Sequence, residues 1–133
     1  MMESRKLAEY CAQKCLEKKA ENVVILDLER LSSVADYFVI CSGFSDRQVS
    51  SIADNVADEV RDLGIKSMSQ EGLADGRWCL IDFGAVIVHV FQDQLRDYYN
   101  LEGLWSDAKR IRITEEAGSK KPDFDYNPGT ANF

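Results

Sequence analysis

The sequence predicts an α/β (or α+β) domain, a mixed sheet of about five strands with helices packed on it. Three observations carry that prediction. Short runs at 23–28, 37–41, 77–83 and 86–91 are almost wholly apolar, as strands covered on both faces are. Two longer stretches, 4–20 and 45–63, repeat their apolar residues with a helical period. The two patterns share a chain of 133 residues, the length of one domain with a proper core.

The elements follow in order. Residues 4–20 form a first helix, with Leu7, Cys11, Cys15 and Leu16 as its apolar stripe between Arg5, Glu9, Lys14 and Lys18. Asn22 breaks the period. Val23 to Leu28 and Tyr37 to Cys41 are strands, joined by the polar loop 29–36 as a wide hairpin. Ser45 and Gln48 have the spacing of a capping box and start a second helix. Val49, Ile52, Ala53, Val56, Val60 and Leu63 form its buried stripe, Asp54, Asp58 and Asp62 its solvated side, and Gly64 its C′ stop.

A strand near Lys66–Gln70 then closes a right-handed β-α-β crossover. Gly72, Asp75 and Gly76 supply turn chemistry before the strand Arg77–Phe83, and Gly84-Ala85 reverses the chain into Val86–Phe91. Residues 66–91 thus read as an antiparallel meander. A short helix covers Asp93–Tyr99, and Asn100 is placed to cap one further turn, Leu101–Trp105. From Glu115 onward Pro, Gly, Ser, Asn and charges dominate without periodicity, so the domain is expected over 1–114 and a flexible tail over 115–133.

Composition excludes several classes. No apolar run reaches the ~18–20 residues of a membrane span, and the N-terminus turns charged at once, with no signal core. A cytoplasmic protein is expected. Cys11, Cys15, Cys41 and Cys79 include no C-x-x-C pair and read as small core residues in a reducing compartment. The net charge is −7, and all of it lies in residues 1–105, since 106–133 balance five basic against five acidic groups. Such a body repels a phosphate backbone, which argues against direct nucleic-acid binding, and attracts a basic protein.

Several motifs invite chemistry. Asp82-Phe83-Gly84 spells a kinase magnesium triplet, but the other kinase motifs are absent, so it reads as a strand end and turn. Ser42-Gly43-Phe44-Ser45 could offer N–H groups to a phosphate, yet no lysine follows at the P-loop position. It resembles the small-residue turn of nucleotidyltransferases. Those enzymes need paired carboxylates on a following strand to hold two metals. After Ser45 the sequence has a D-x-D only at Asp123 and Asp125, in the expected tail. Asp27, Glu29 and Asp82 are the unconventional metal set an enzymatic alternative would need. His89, the single histidine, sits mid-strand, with Asp82 a candidate partner; structural and contact roles both fit it.

The segment from Trp78 to Trp105 is richest in Tyr and Trp. It reads either as terminal helical turns folding aromatics onto the sheet or as a docking surface, for which Tyr, Trp and Arg are favoured. The candidate partner-binding residues are Trp78, His89, Phe91, Arg96, Tyr98, Tyr99, Leu101 and Trp105, with Leu104 expected to face inward.

Ala35-Asp36-Tyr37-Phe38-Val39-Ile40-Cys41-Ser42-Gly43 resembles the signature of the Iojap-like family of ribosomal silencing factors. The resemblance continues through Glu71-Gly72, Trp78, Leu80 to Gly84, Val88 to Phe91, and Arg96 to Trp105, covering roughly residues 4–106 in order. Gly103 departs from it, where many relatives carry a bulkier residue. The resemblance implies a nucleotidyltransferase-like fold without the catalytic carboxylates, no enzymatic activity, no cofactor or metal, and a cytosolic homodimer. It also implies a partner, the large ribosomal subunit protein numbered fourteen, where the bound factor would sterically block joining of the small subunit.

Overall fold

The computed structural model describes residues 2–114. The tail expected over 115–133 lies outside the described residues. Ten elements follow in order: α1 (Ser4–Glu17), β1 (Glu21–Asp27), β2 (Tyr37–Gly43), α2 (Asp46–Asp62), β3 (Ser69–Glu71), β4 (Trp78–Asp82), β5 (Val86–Gln92), α3 (Asp93–Tyr99), α4 (Leu101–Leu104) and β6 (Lys109–Ile113). The sheet order is β3-β4-β5-β2-β1-β6. β2 and β5 pair in parallel; every other neighbouring pair is antiparallel. The mixed α+β architecture is as predicted, with six strands where about five were expected.

The additional strand is β6. Its sequence, KRIRI, alternates charge with Ile, because Ile111 and Ile113 face the helices while Lys109, Arg110 and Arg112 remain exposed at the sheet edge. Five such residues give a weak period-2 signal. The crossover also differs in span. β2 takes β5, not β3, as its parallel neighbour, and β3 lies at the far edge, two strands beyond. Val86 to Phe91 is far more apolar than Ser69–Glu71, whose residues are all exposed, so it takes the central position.

α1 stops earlier than its periodicity implies. Lys19 adopts a left-handed φ of 65°, and the N–H groups of Lys19 and Ala20 bond back to Leu16 and Cys15, a Schellman ending made without glycine. α2 ends the same way at Gly64, as the sequence predicts, but Leu63 is the cap residue and is 43% exposed, not part of the buried stripe. The Ser45 cap forms as expected: its hydroxyl accepts from Gln48 N at 3.1 Å. Gln48 Oε1 in turn accepts from Phe44 N, and its amide nitrogen donates to Lys18 O and Lys19 O, tying the start of α2 to the end of α1.

The helices α1 and α2 cover one face of the sheet. Val23, Ile25, Val39, Cys41, Ile81, Val88, Val90 and Ile111 meet Leu7, Cys11, Cys15, Val49, Ile52, Val56 and Val60 there in one core. All four cysteines are buried and unbridged, the role expected of them. The opposite face carries a smaller cluster: Val24, Leu26, Leu28, Ile40, Phe91 and Ala108, flanked by half-buried Phe38, Trp78, Leu95, Leu101 and Trp105. Among the described residues only the short α3 and α4 lie against it, so a site can form on this face.

Candidate functional site

Strand alternation sets the foundation of this second face. β5 sends Ile87, His89 and Phe91 to it, β4 sends Trp78, Leu80 and Asp82, and β2 sends Phe38, Ile40 and Ser42. Trp78 pairs with Phe91, and Leu80 with His89, across the antiparallel ladder. The Trp78 ring stacks on Phe91 at 4.8 Å and meets Tyr99 at 4.6 Å. His89 packs edge-on against Phe38 at 4.5 Å, and Phe38 reaches Trp105 at 6.1 Å. Tyr98 stands against Tyr99 at 5.1 Å, with its ring perpendicular. One continuous aromatic chain therefore runs from the sheet floor to the surface.

The candidate residues divide by depth. His89, Phe91 and Arg96 are buried within the chain; Trp78, Leu101 and Trp105 are half-buried; Tyr98 is 78% and Tyr99 45% exposed. The inner three can serve a partner only by supporting the outer layer. Leu104, expected inward, is 73% exposed. α4 is a single turn, and Leu101 and Trp105, four apart, take its sheet-facing side, which leaves Leu104 on the flank.

Arg96, expected as a surface anchor, is an internal clamp. Its Nε and Nη2 donate to the two Glu102 oxygens at 3.2 and 2.8 Å, and Nη1 donates to Ser42 Oγ at 3.0 Å. Burial alone would raise the Glu102 carboxyl. The Arg96 fork, helped by Arg110 and Arg112, outweighs it and holds Glu102 below the usual carboxylate range. Asn100 joins the two short helices. Its left-handed φ of 50° ends α3, and its side chain accepts from Gly103 N at 3.1 Å to cap α4. A Cβ at Gly103 would run into that carboxamide, so the glycine that departs from the family pattern suits this cap.

His89 is not partnered by Asp82. Asp82 lies opposite Ile87, and its Oδ1 accepts from Gly84 N at 2.7 Å, serving the turn. Trp78 Nε1 instead donates to His89 Nδ1 at 3.2 Å, and His89 Nε2 is buried with no hydrogen-bond partner among the described residues. Burial pushes the imidazole down to about 4, so the ring is neutral at physiological pH.

The alternative metal set does not converge. Asp27 and Asp82 sit at the same end of β1 and β4, but β2 and β5 lie between, three strand spacings or roughly 14 Å. Asp27 Oδ1 accepts from Glu29 N, and Glu29 accepts from the Tyr37 hydroxyl. The Ser42–Ser45 turn is at the opposite end of the sheet, with the N–H of Phe44 already bonded to Gln48. Among the described residues no group of three or more His, Cys, Asp or Glu is placed to hold a metal. No helix among them is long and apolar enough to cross a membrane.

Sequence reasoning missed Phe38, Ser42 and Glu102 as parts of this face. Phe38 and Ser42 sit in an all-apolar-looking strand, where the period-2 signal is lost. The pairing of Glu102 with Arg96 needs the bend at Asn100.

The domain is thus of the α+β class, with helices over one side of its sheet and a half-open aromatic face on the other. Comparison with known proteins narrows this. The model of the family described as ribosomal silencing factor during starvation matches residues 1–131. The ribosomal silencing factor RsfS of Bacillus subtilis (strain 168) is 46% identical over 107 residues, 80% of this chain and 91% of the relative. The chloroplastic protein Iojap of Zea mays is 34% identical over 105 residues, 77% of this chain and 44% of that longer protein. A crystal structure from Chromobacterium violaceum matches with a TM-score of 0.77 at 28% identity, covering 98% of each chain. Another from Bacillus halodurans gives 0.70 at 41% identity, covering 77% of this chain and 95% of that one. The chain belongs to the ribosomal silencing factor family.

Proposed function

We propose that this protein is a cytoplasmic translational repressor that docks on the large ribosomal subunit, at its protein numbered fourteen, and blocks joining of the small subunit by occlusion. The reading rests first on the family, and a homodimer belongs to the same reading. The observation that carries the docking is the aromatic ridge: Tyr98, Tyr99 and Leu104 are exposed on a foundation already packed by Trp78 and Phe91. Aromatic groups held in place before contact bind at low entropic cost. The net charge of −7 favours encounter with a basic ribosomal protein and disfavours direct docking on nucleic acid. Occlusion requires no bond to be made or broken, which accords with carboxylates that do not converge, and no enzymatic role is proposed.

Gradient sedimentation of a cell lysate tests this. The protein is expected with free large subunits, not with small subunits or translating ribosomes. Equal recovery in every ribosomal fraction, or in none, overturns it. Tyr98→Ala locates the surface: removing this exposed ring should cost ~2 kcal/mol of affinity, about thirtyfold, with the thermal midpoint nearly unchanged.

A further inference from the structure

The buried histidine of the aromatic face is costly in a way that phenylalanine would not be. His89 is 4% exposed and lies among the rings of Phe38, Trp78 and Phe91. An indole N–H can only donate, so His89 Nδ1, which faces Trp78 Nε1 at 3.2 Å, must be the unprotonated acceptor. Because the ring is neutral, its one proton is on Nε2, and that N–H has no acceptor among the described residues. An orphaned buried donor carries a desolvation cost. Phenylalanine would fill the same ring-lined space without it. What histidine adds over phenylalanine at this position is one thing, an acceptor for the Trp78 indole.

That indole is the hinge between floor and ridge. Trp78 is half-buried, stacked on Phe91 beneath and in contact with Tyr99 above, and Tyr99 backs the exposed Tyr98. Without a polar tether, a ring stacked mainly on other rings can slide and rotate between nearly equal packings. The Nδ1 contact selects one of them. We infer that His89 is a positioning residue of the docking surface: it fixes the Trp78 indole, and through it Tyr99 and Tyr98, in the arrangement a protein partner meets. The inference rests on the proposed docking through the Tyr98–Tyr99 ridge. It assigns to a residue the partner never touches a share of the affinity.

The test measures affinity for purified large ribosomal subunits and thermal stability on the same full-length variants. His89→Phe removes one orphaned donor, the Nε2–H, and leaves another, the Trp78 indole N–H, so the thermal midpoint should stay close to wild type while binding weakens roughly tenfold. A purely structural role predicts instead that affinity tracks stability. His89→Asn places a carbonyl oxygen near the Nδ1 position and should bind more tightly than His89→Phe despite packing less well. In a Trp78→Phe background, which has no indole N–H to hold, His89→Phe should cost no further affinity. The inference is overturned if His89→Phe binds as wild type, if His89→Asn binds no better than His89→Phe, or if the loss persists in the Trp78→Phe background. If His89→Phe proves unfolded, the same comparison is made between His89→Asn and His89→Leu, with the same decision. Tyr98→Ala separates the two levels. Wild-type binding by that variant defeats the proposed ridge itself, whereas weakened binding by Tyr98→Ala beside unchanged binding by His89→Phe defeats only the role of His89.

Discussion

Replacing His89 with Phe should flatten the acid side of the protein's stability profile. The imidazole titrates near 6.5 when free and is held down to about 4 in the fold by burial. Between those values the unfolded chain takes up a proton that the folded chain refuses, so acid favours unfolding. The neutral ring's contribution is fully present above pH 6.5, is lost as pH falls toward 4, and changes no further below that. Each pH unit within the window is worth about 1.4 kcal/mol per proton, so the whole window is worth about 3 kcal/mol. Urea denaturation of wild type and His89→Phe at pH 7, 6, 5 and 4.5 reads this directly. Carboxylates such as Glu102 titrate in both proteins and cancel in the difference. By pH 5 the wild type should have lost about 2 kcal/mol more than the variant. Parallel profiles, or a steeper loss in the variant, would refute the neutral, buried assignment of His89 and the tautomer argument built on it.

Three further outcomes follow from other parts of the molecule. Arg96→Met removes the fork that holds Glu102 and the donor to Ser42 Oγ; it should cost about 3 kcal/mol by chemical denaturation, and an NMR titration should find the Glu102 carboxyl shifted upward. Gly76→Ala should lower the thermal midpoint by several degrees, because Gly76 has a φ of 75° and a Cβ there would meet Asp46 O at 2.5 Å. Purified protein supplied with magnesium and nucleoside triphosphates should transfer no nucleotide; a reproducible activity abolished by Asp82→Asn would restore the enzymatic alternative.

Much of the fold was legible because its signals are local. The capping pair Ser45 and Gln48, the Gly64 stop, the turn at Gly84 and the stripe from Val49 to Val60 depend on residues within a few positions of one another. The elements missed or misjudged were those whose signal was weak or whose outcome was settled at a distance. Lys19 ends α1 in a conformation usually left to glycine, so nothing in the composition marks the stop. β6 carries only two apolar residues, and it is a strand because β1 offers it an edge.

The sequence by itself determined the class of fold, the buried cysteines, the acidic balance and the aromatic richness of the segment from Trp78 to Trp105. These follow from residue type and short-range period, which neither packing nor topology alters. Tertiary structure alone decided which aromatics are floor and which are ridge. Phe91 and Tyr98 are both large rings, but strand pairing buries the first beneath Trp78, while α3 turns Leu95 and Tyr99, four apart, toward the sheet and leaves the second in solvent. Only the sheet order, with β2 and β5 between β1 and β4, keeps Asp27 and Asp82 apart. Likewise, only the register of β4 on β5 brings the indole of Trp78 onto Nδ1 of His89, eleven residues away. Long-range register is set by the summed packing of whole strands, and no local stretch of sequence carries that sum.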